Sequence, residues 1–262
     1  MTRYTVNASI LLTDRPLLER PVAAAAAGFR AVEFWWPFAV AVPTDLEIDA
    51  FVAAISDAGV QLSGLNFFAG DMPAGDRGLV SWVGRESEFR DNVEVVAGIG
   101  ERLGCRGFNA LYGLRRDDVP PEAADELAAE NLRFAADRIA RIGGTVLLEP
   151  VSGAPAYPLK TAADALAVIE KVGRDNLRLL ADFYHLAVNG DDVAAVIADH
   201  AGEFGHVQIA DAPGRGQPGS GESPLADWLA AAAAGGYDGY VGLEYADASA
   251  DPFGWLPRTE RS

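Results

Sequence analysis

The stretch Gly143-Gly-Thr-Val-Leu-Leu-Glu149-Pro150 joins an apolar run to a carboxylate and a proline. An uninterrupted apolar run of this length is typical of a strand buried on both faces, as strands of parallel sheets are. The glycine pair ends the preceding helix and Pro150 ends the strand. Burying Glu149 destabilises the fold unless its charge is paired or binds a metal. The stretch therefore predicts a parallel strand that ends on a functional group.

The same construction recurs on three later segments. Asp182, Gln208 and Glu244 lie at or near the ends of the apolar segments 177–182, 204–209 and 240–245. Because the carboxyl ends of the strands of a parallel barrel meet at one face, the four side chains are expected to converge there. A strand-end carboxylate can instead cap the next helix, but its recurrence on four consecutive strands favours a shared site.

Strand-like and helix-like segments alternate along all 262 residues, which indicates parallel crossover units. Eight strands are predicted, at 4–11, 31–36, 60–67, 105–111, 144–150, 177–182, 204–209 and 239–245. Seven helices are predicted between them, at 15–27, 45–58, 85–103, 120–142, 161–172, 191–200 and 223–234. No Gly-x-Gly-x-x-Gly follows the first strand, which disfavours a dinucleotide-binding sheet.

The alternation predicts an α/β fold, a (β/α)8 TIM barrel that forms one domain over 1–262, because such barrels need about 250 residues. The irregular, aromatic-containing tail at 247–262 is expected to pack over the barrel or to contact another subunit. The sequence therefore allows a homo-oligomer.

Composition excludes several classes of protein. The net charge of −17 argues against binding to nucleic acid or to anionic membrane surfaces. No apolar run approaches the roughly 20 residues that span a bilayer, and no signal peptide is expected. Cys105 is the only cysteine, which excludes a cysteine zinc site and suits a reducing, cytoplasmic location. We interpret Cys105 as a core residue.

The four converging side chains indicate a hard cation. Three carboxylates and an amide suit Mg²⁺ or Mn²⁺ and do not suit a tetrahedral zinc site of thiolates and imidazoles. His185, three residues beyond Asp182, is then a candidate substrate-oxygen ligand or proton donor. His206 lies two residues before Gln208 and is interpreted as a core histidine, with a supporting contact to the site as the alternative.

The loops beyond the strands carry further candidates. Arg215 follows strand 7 and can clamp a substrate carboxylate. Arg77, in the glycine-rich loop after strand 3, is a second candidate anion contact. Glu222 is predicted to cap the next helix or to support the substrate site. Asn7 and Glu33 are additional candidates at the ends of strands 1 and 2.

At these residues the chain resembles the hydroxypyruvate isomerase family, within the xylose-isomerase-like TIM barrels. The matching motifs occur in order over nearly the full length: Ala31-Val-Glu-Phe34, the loop Gly70–Gly78, Leu148-Glu149-Pro150, Asp182-Phe-Tyr-His185, His206–Asp211, Pro213-Gly-Arg215, Pro218–Glu222 and Tyr237–Tyr245. Each motif is weak alone, and together they are fairly specific.

The resemblance implies roles for the matching residues. Glu149, Asp182, Gln208 and Glu244 would hold the divalent metal, the two glutamates would transfer protons, and His185 and Arg215 would line the substrate site. The chain departs from the family at Gly216, where the family has histidine, at Val151–Ala154, which lacks an asparagine, and at Leu65–Phe68. These changes affect the substrate pocket, so they leave the substrate identity open.

The implied enzyme is a metal-assisted aldose–ketose type isomerase of a small hydroxy-carbonyl acid. The expected reaction converts hydroxypyruvate to 2-hydroxy-3-oxopropanoate (tartronate semialdehyde) through an enediolate. The alternatives are a 2-oxo-tetronate isomerase, a ketose 3-epimerase with the same site, or an inactive barrel that serves as a binding protein. The choice of metal, the glutamate that takes the first proton and the oligomeric state stay open.

Overall fold

A closed parallel barrel forms the centre of the structure. The computed structural model describes residues 2–247, 249 and 251–261. Eight strands follow one another around the barrel in chain order, and the last strand pairs with the first. The predicted (β/α)8 architecture is confirmed. The strands are β1 (Arg3–Asn7), β2 (Ala31–Phe34), β3 (Gln61–Asn66), β4 (Gly107–Asn109), β5 (Thr145–Leu148), β6 (Leu177–Asp182), β7 (Phe204–Ile209) and β8 (Tyr240–Leu243).

Helices connect the strands. Each buries one face against the barrel, and capping residues mark where several of them begin and end. Thr44 and Thr161 each form a capping box with the third residue of their helix, and glycines in the left-handed conformation end several helices. The helices are α1 (Arg20–Ala27), α2 (Asp45–Ala58), α3 (Glu86–Leu103), α4 (Pro121–Ala140), α5 (Ala162–Val172), α6 (Phe183–Asn189), α7 (Val193–His200) and α8 (Leu225–Ala234). In the part of the chain that is described, none combines the length and hydropathy needed to cross a bilayer.

The register of the strands brings the predicted residues to one level of the barrel. Asp182 on β6 pairs with Gln208 on β7, and Gln208 pairs with Gly242 on β8. Glu149 and Glu244 follow the last residues of β5 and β8. The four side chains therefore start from the same end of the barrel, as parallel strands require.

The segment after β6 differs from the prediction. A helix, α6, begins directly after Asp182, whereas the sequence predicted helix only from 191. Asp182 explains the difference because its Oδ1 accepts the backbone N–H groups of Tyr184 and His185, at 2.8 and 3.2 Å. The N-terminal segment also differs, since β1 ends at Asn7 and a 3₁₀ turn at Leu17–Glu19 precedes α1.

The irregular tail packs against the outside of the barrel. Phe253 meets Phe29 edge to face, with ring centroids 4.8 Å apart, and Trp255 meets Tyr4 at 6.1 Å. Arg261 donates to the carbonyl of Ala27. The predicted aromatic packing is confirmed for the described part of the tail. Positions 248, 250 and 262 of the predicted 247–262 tail lie outside the described residues.

A tight loop after β3 forms one side of the opening of the barrel. The Gly78 N–H donates to the carbonyl of Ala69 at 2.9 Å, which closes the loop. Gly78 has φ of +114°, and a Cβ placed there would lie 1.9 Å from the Leu111 carbonyl oxygen. Gly75 in the same loop has φ of +112°, but a Cβ there would meet nothing within 4 Å. The two glycines thus share a backbone conformation that is strained for other residues, and they differ in how closely their surroundings are packed.

We predict that Gly78→Ala destabilises the protein by about 2 kcal/mol more than Gly75→Ala. Both substitutions place alanine at positive φ, so their difference isolates the clash with Leu111. Urea denaturation of the two variants measures the free energies of unfolding. Equal losses would contradict the close approach of the loop to the chain after β4.

Candidate active site

A cavity of about 1140 Å³ opens at the carboxyl ends of the strands. Five buried or half-buried polar residues from the predicted site line it: Arg77, Glu149, His185, Arg215 and Glu244. Aromatic and apolar side chains form other parts of the wall, among them Trp35, Trp36, Phe38, Phe68 and Met72. The cavity thus combines convergent polar groups with an apolar wall, as small-molecule sites usually do.

Glu149, Asp182 and His185 form a buried cluster at this cavity. One ligand atom from each lies within 4.8 Å of the others, so the group could hold a metal ion. The Nε2 atom of His185 is 3.8 Å from Glu149 Oε1 and 3.7 Å from Asp182 Oδ2. The structure therefore brings two predicted metal ligands together with a predicted substrate contact.

Ser152 determines the tautomer of His185. The backbone N–H of Ser152 donates to His185 Nδ1 at 3.1 Å, and the Ser152 hydroxyl lies 2.7 Å from the same nitrogen. Burial lowers the pKa of His185 to about 4, although Asp182 opposes this shift. A neutral imidazole whose Nδ1 accepts carries its proton on Nε2. His185 therefore directs an N–H donor toward Glu149 and Asp182.

Glu149 is a buried carboxylate with a raised pKa. Burial raises the pKa of Glu149 well above its ordinary value, and the nearby carboxylates of Glu244 and Asp182 raise it further. Asn109, at the end of β4, opposes this shift because its Nδ2 donates to Glu149 Oε2 at 2.6 Å. A buried carboxyl group with a raised pKa is a candidate for proton exchange.

Glu244 lies in the same electrostatic environment with more partners. Its Oε2 accepts from the amides of Asn7 at 2.7 Å and Gln208 at 2.5 Å, and its Oε1 pairs with the Arg215 guanidinium. Burial raises the pKa of Glu244 to about 8, although Arg215 lowers it. Glu149 and Glu244 thus face one cavity with raised pKa values.

Two buried oxygens in this region fit a cation. Asn109 Oδ1, Asp182 Oδ2 and Gln208 Oε1 find no hydrogen-bond partner among the residues that the structure describes, and the last two belong to predicted metal ligands. A buried acceptor without a donor is costly, and a divalent cation would satisfy it. Carboxylate and amide oxygens are also the ligands that Mg²⁺ and Mn²⁺ prefer. The residues present therefore fit the metal that the sequence predicted.

The remaining predicted residues differ in where they lie relative to the cavity. Arg77 lines the cavity, where its guanidinium donates to the carbonyls of Met72 and Asp76. Glu222 is exposed and is not part of the described cavity lining, so its predicted substrate contact gains no support. His206 is buried as expected, but its Nε2 lies 2.7 Å from Glu33 Oε2, which favours the alternative of a supporting contact.

Two functional neighbours were missed by the sequence reasoning. Asn109 and Ser152 contact Glu149 and His185, yet neither was named as a candidate. Asn109 carried a signal, because it is the polar last residue of β4 at the same barrel end. Ser152 had only its place in the loop after β5, and its contact with α6 arises from folding.

A model of the family described as "Xylose isomerase-like TIM barrel" matches residues 21–260. The chain belongs to this family. A Streptomyces coelicolor protein named "Putative hydroxypyruvate isomerase" is 52% identical over 99% of this chain and 97% of its own length. The Escherichia coli hydroxypyruvate isomerase is 33% identical, covering 94% and 93% of the two chains. The resemblance to hydroxypyruvate isomerases that the motifs indicated is thus confirmed.

Two further proteins similar to this chain carry other names. The 2-oxo-tetronate isomerase of Cupriavidus necator is 35% identical over 98% of both chains. A crystal structure titled AP endonuclease, family 2, from Brucella melitensis has a TM-score of 0.89 and 33% identity, covering 97% of this chain and 98% of that one. Proteins with different named activities thus share this barrel, so site chemistry must decide among them.

The burial of Cys105 agrees with its interpretation as a core residue. Burial raises the pKa of the Cys105 thiol to about 12, and its side chain is fully enclosed.

We predict that an aromatic disulfide reagent at pH 8 leaves the folded protein unmodified and reacts with one thiol per chain in urea. Fast reaction of the native protein, followed by absorbance, would contradict the assignment of Cys105 to the core.

Proposed function

We propose that this protein is a divalent-cation-dependent isomerase that interconverts hydroxypyruvate and 2-hydroxy-3-oxopropanoate. One observation carries the proposal: the carboxylates of Glu149 and Glu244 line one cavity, beside the buried Glu149–Asp182–His185 cluster. The 52% identity to a protein named for hydroxypyruvate isomerisation supports the same reaction.

The cation would be held by Glu149, Asp182, Gln208 and Glu244. When bound, Mg²⁺ or Mn²⁺ supplies Lewis-acid stabilisation of negative charge on the substrate oxygens. Asp182 and Gln208 support this role because each has a buried oxygen without a described donor. Glu244 is the fourth proposed ligand, and its oxygens accept from Asn7, Gln208 and Arg215 in this structure.

Proton transfer is assigned to the two glutamates. One takes the proton from C3 of hydroxypyruvate, and the same or the opposite glutamate returns a proton at C2. The hydroxyl proton moves from the C3 oxygen to the C2 oxygen, which balances the isomerisation. Both residues line the cavity, so either carboxylate can reach a bound substrate and act as the base.

His185 and Arg215 are assigned to substrate binding. The Nε2–H of His185 donates to a substrate oxygen, since its Nδ1 is occupied by Ser152. Arg215 lines the cavity and presents a cation that can pair with the substrate carboxylate in addition to Glu244. Arg77 is a second cation on the wall of the same cavity.

A 2-oxo-tetronate substrate is the second candidate. The cavity of about 1140 Å³ leaves room for one more carbon than hydroxypyruvate has, and a relative 35% identical to this chain is named for that activity. Nuclease chemistry has less support, because a chain with a net charge of −17 is poorly suited to bind a phosphate backbone.

We predict that Glu149→Gln and Glu244→Gln each lower kcat for hydroxypyruvate isomerisation by at least about 100-fold. Glutamine keeps the shape of the side chain and removes its ability to take a proton. A coupled assay of product formation, with Mg²⁺ and with Mn²⁺, measures the change.

Glu170→Gln is the matched control, since Glu170 is exposed on α5, and it should retain wild-type turnover. Circular dichroism shows whether each variant keeps its fold. Folded Glu149→Gln and Glu244→Gln proteins with unchanged kcat would refute the proton-transfer assignment, and activity that survives complete removal of metal by a chelator would refute the cation requirement.

Arg215→Ala is expected to raise KM for hydroxypyruvate by about 10-fold or more, as loss of a charge-assisted contact predicts. The KM for a neutral ketose should change far less, because that ligand has no carboxylate. Steady-state kinetics on both substrates, with Arg215→Lys as the variant that keeps the charge, measures the difference. Equal effects on the two substrates would exclude a carboxylate clamp.

A further inference from the structure

Glu33 lies inside the barrel beneath the proposed site, and no role in the reaction has been assigned to it. It is the third residue of β2 and only 3% exposed. Its carboxylate accepts from three side chains on other strands. They are Asn7 on β1 at 3.2 Å, His206 on β7 at 2.7 Å and Gln208 on β7 at 2.7 Å.

The contact between Glu33 and Gln208 decides how the Gln208 amide is turned. Gln208 Nε2 donates to Glu33 Oε1 at 2.7 Å and to Glu244 Oε2 at 2.5 Å, so both of its N–H groups are used. The reversed amide would place its carbonyl oxygen against two carboxylate oxygens, with no donor between them. The observed orientation leaves Oε1 as the buried atom without a described partner.

Glycine on the neighbouring strand makes this contact sterically feasible. Gly242 on β8 stands opposite Gln208 in the sheet. A Cβ at Gly242 would lie 2.6 Å from Glu33 Oε1 and 2.7 Å from Gln208 Cγ. Glycine at this position therefore leaves room for the β2 carboxylate to reach the β7 amide past β1 and β8.

We propose that Glu33 is a positioning residue that fixes the Gln208 amide with its carbonyl oxygen available to a divalent cation. The inference rests on the proposed function, because it takes Gln208 as a cation ligand. Glu33 itself does not touch the cation or the substrate. It acts on the ligand as hydrogen-bonded neighbours of metal ligands commonly do, where their loss weakens metal binding about 10- to 100-fold.

The test is a double-mutant cycle on Mn²⁺ affinity, measured by isothermal titration calorimetry on the metal-stripped full chain. Glu33→Gln keeps the shape of the side chain but lets residue 33 present either a donor or an acceptor to Gln208. We expect the Mn²⁺ dissociation constant to rise about 10-fold or more in Glu33→Gln. In the Gln208→Ala background, where no amide remains to be oriented, Glu33→Gln should change the constant less than about 2-fold.

Controls separate positioning from general stability. Glu170→Gln makes the same chemical change on the exposed face of α5 and should bind Mn²⁺ as the wild type does. Glu33→Asp keeps the charge but shortens the side chain, which withdraws the carboxylate from Gln208, and it replaces Glu33→Gln in the cycle if that variant does not fold. Thermal unfolding of the metal-stripped proteins identifies variants that have lost structure.

The outcomes distinguish this inference from the proposed function. Wild-type affinity in folded Glu33→Gln would overturn the inference and leave the proposed function intact. An equal fold-change with and without Gln208 would also overturn it, because Glu33 would then act by another route. A wild-type chain that binds no Mn²⁺ would overturn both the inference and the cation-dependent function.

Discussion

Burial of several carboxylates at one end of the barrel is the constraint on which the site depends. Glu33, Glu149, Asp182 and Glu244 are each 4% exposed or less. Bringing such groups out of water and close together is strongly unfavourable unless donors or cations compensate. The donors come from the amides of three strands and from Arg215. Burial and the neighbouring carboxylates still raise the pKa of Glu149 and of Glu244.

The parallel barrel holds these groups at the carboxyl ends of its strands. Asp182 illustrates how structure and proposed function share one side chain. Its Oδ1 caps α6 through the N–H groups of Tyr184 and His185, while its Oδ2 faces the Glu149–His185 cluster. The start of α6 therefore fixes both a proposed ligand and the histidine beside it, which is the rigid support that a catalytic geometry needs.

The departures from the family pattern have structural consequences at the pocket. Ser152 occupies the loop that lacks the family's asparagine, and it holds His185 in the Nε2–H tautomer. Gly216 stands where the family has histidine, and a Cβ there would lie 2.3 Å from Ser220 Oγ. The loop that carries Arg215 is thus packed around glycine at this position, where Ser220 lies close to the backbone.

The sequence by itself determined the barrel and the position of Glu149, Asp182, Gln208 and Glu244 at the carboxyl ends of four strands, because βα alternation and strand-end polarity are patterns of neighbouring residues. Helix boundaries were predicted well where caps and glycines mark them, and α6 was missed because its cap is itself a site residue. Only the tertiary structure decided the partners of these side chains. Amide orientation, the His185 tautomer and the contacts of Glu33 depend on atoms from strands distant in the chain, and no local pattern encodes those distances.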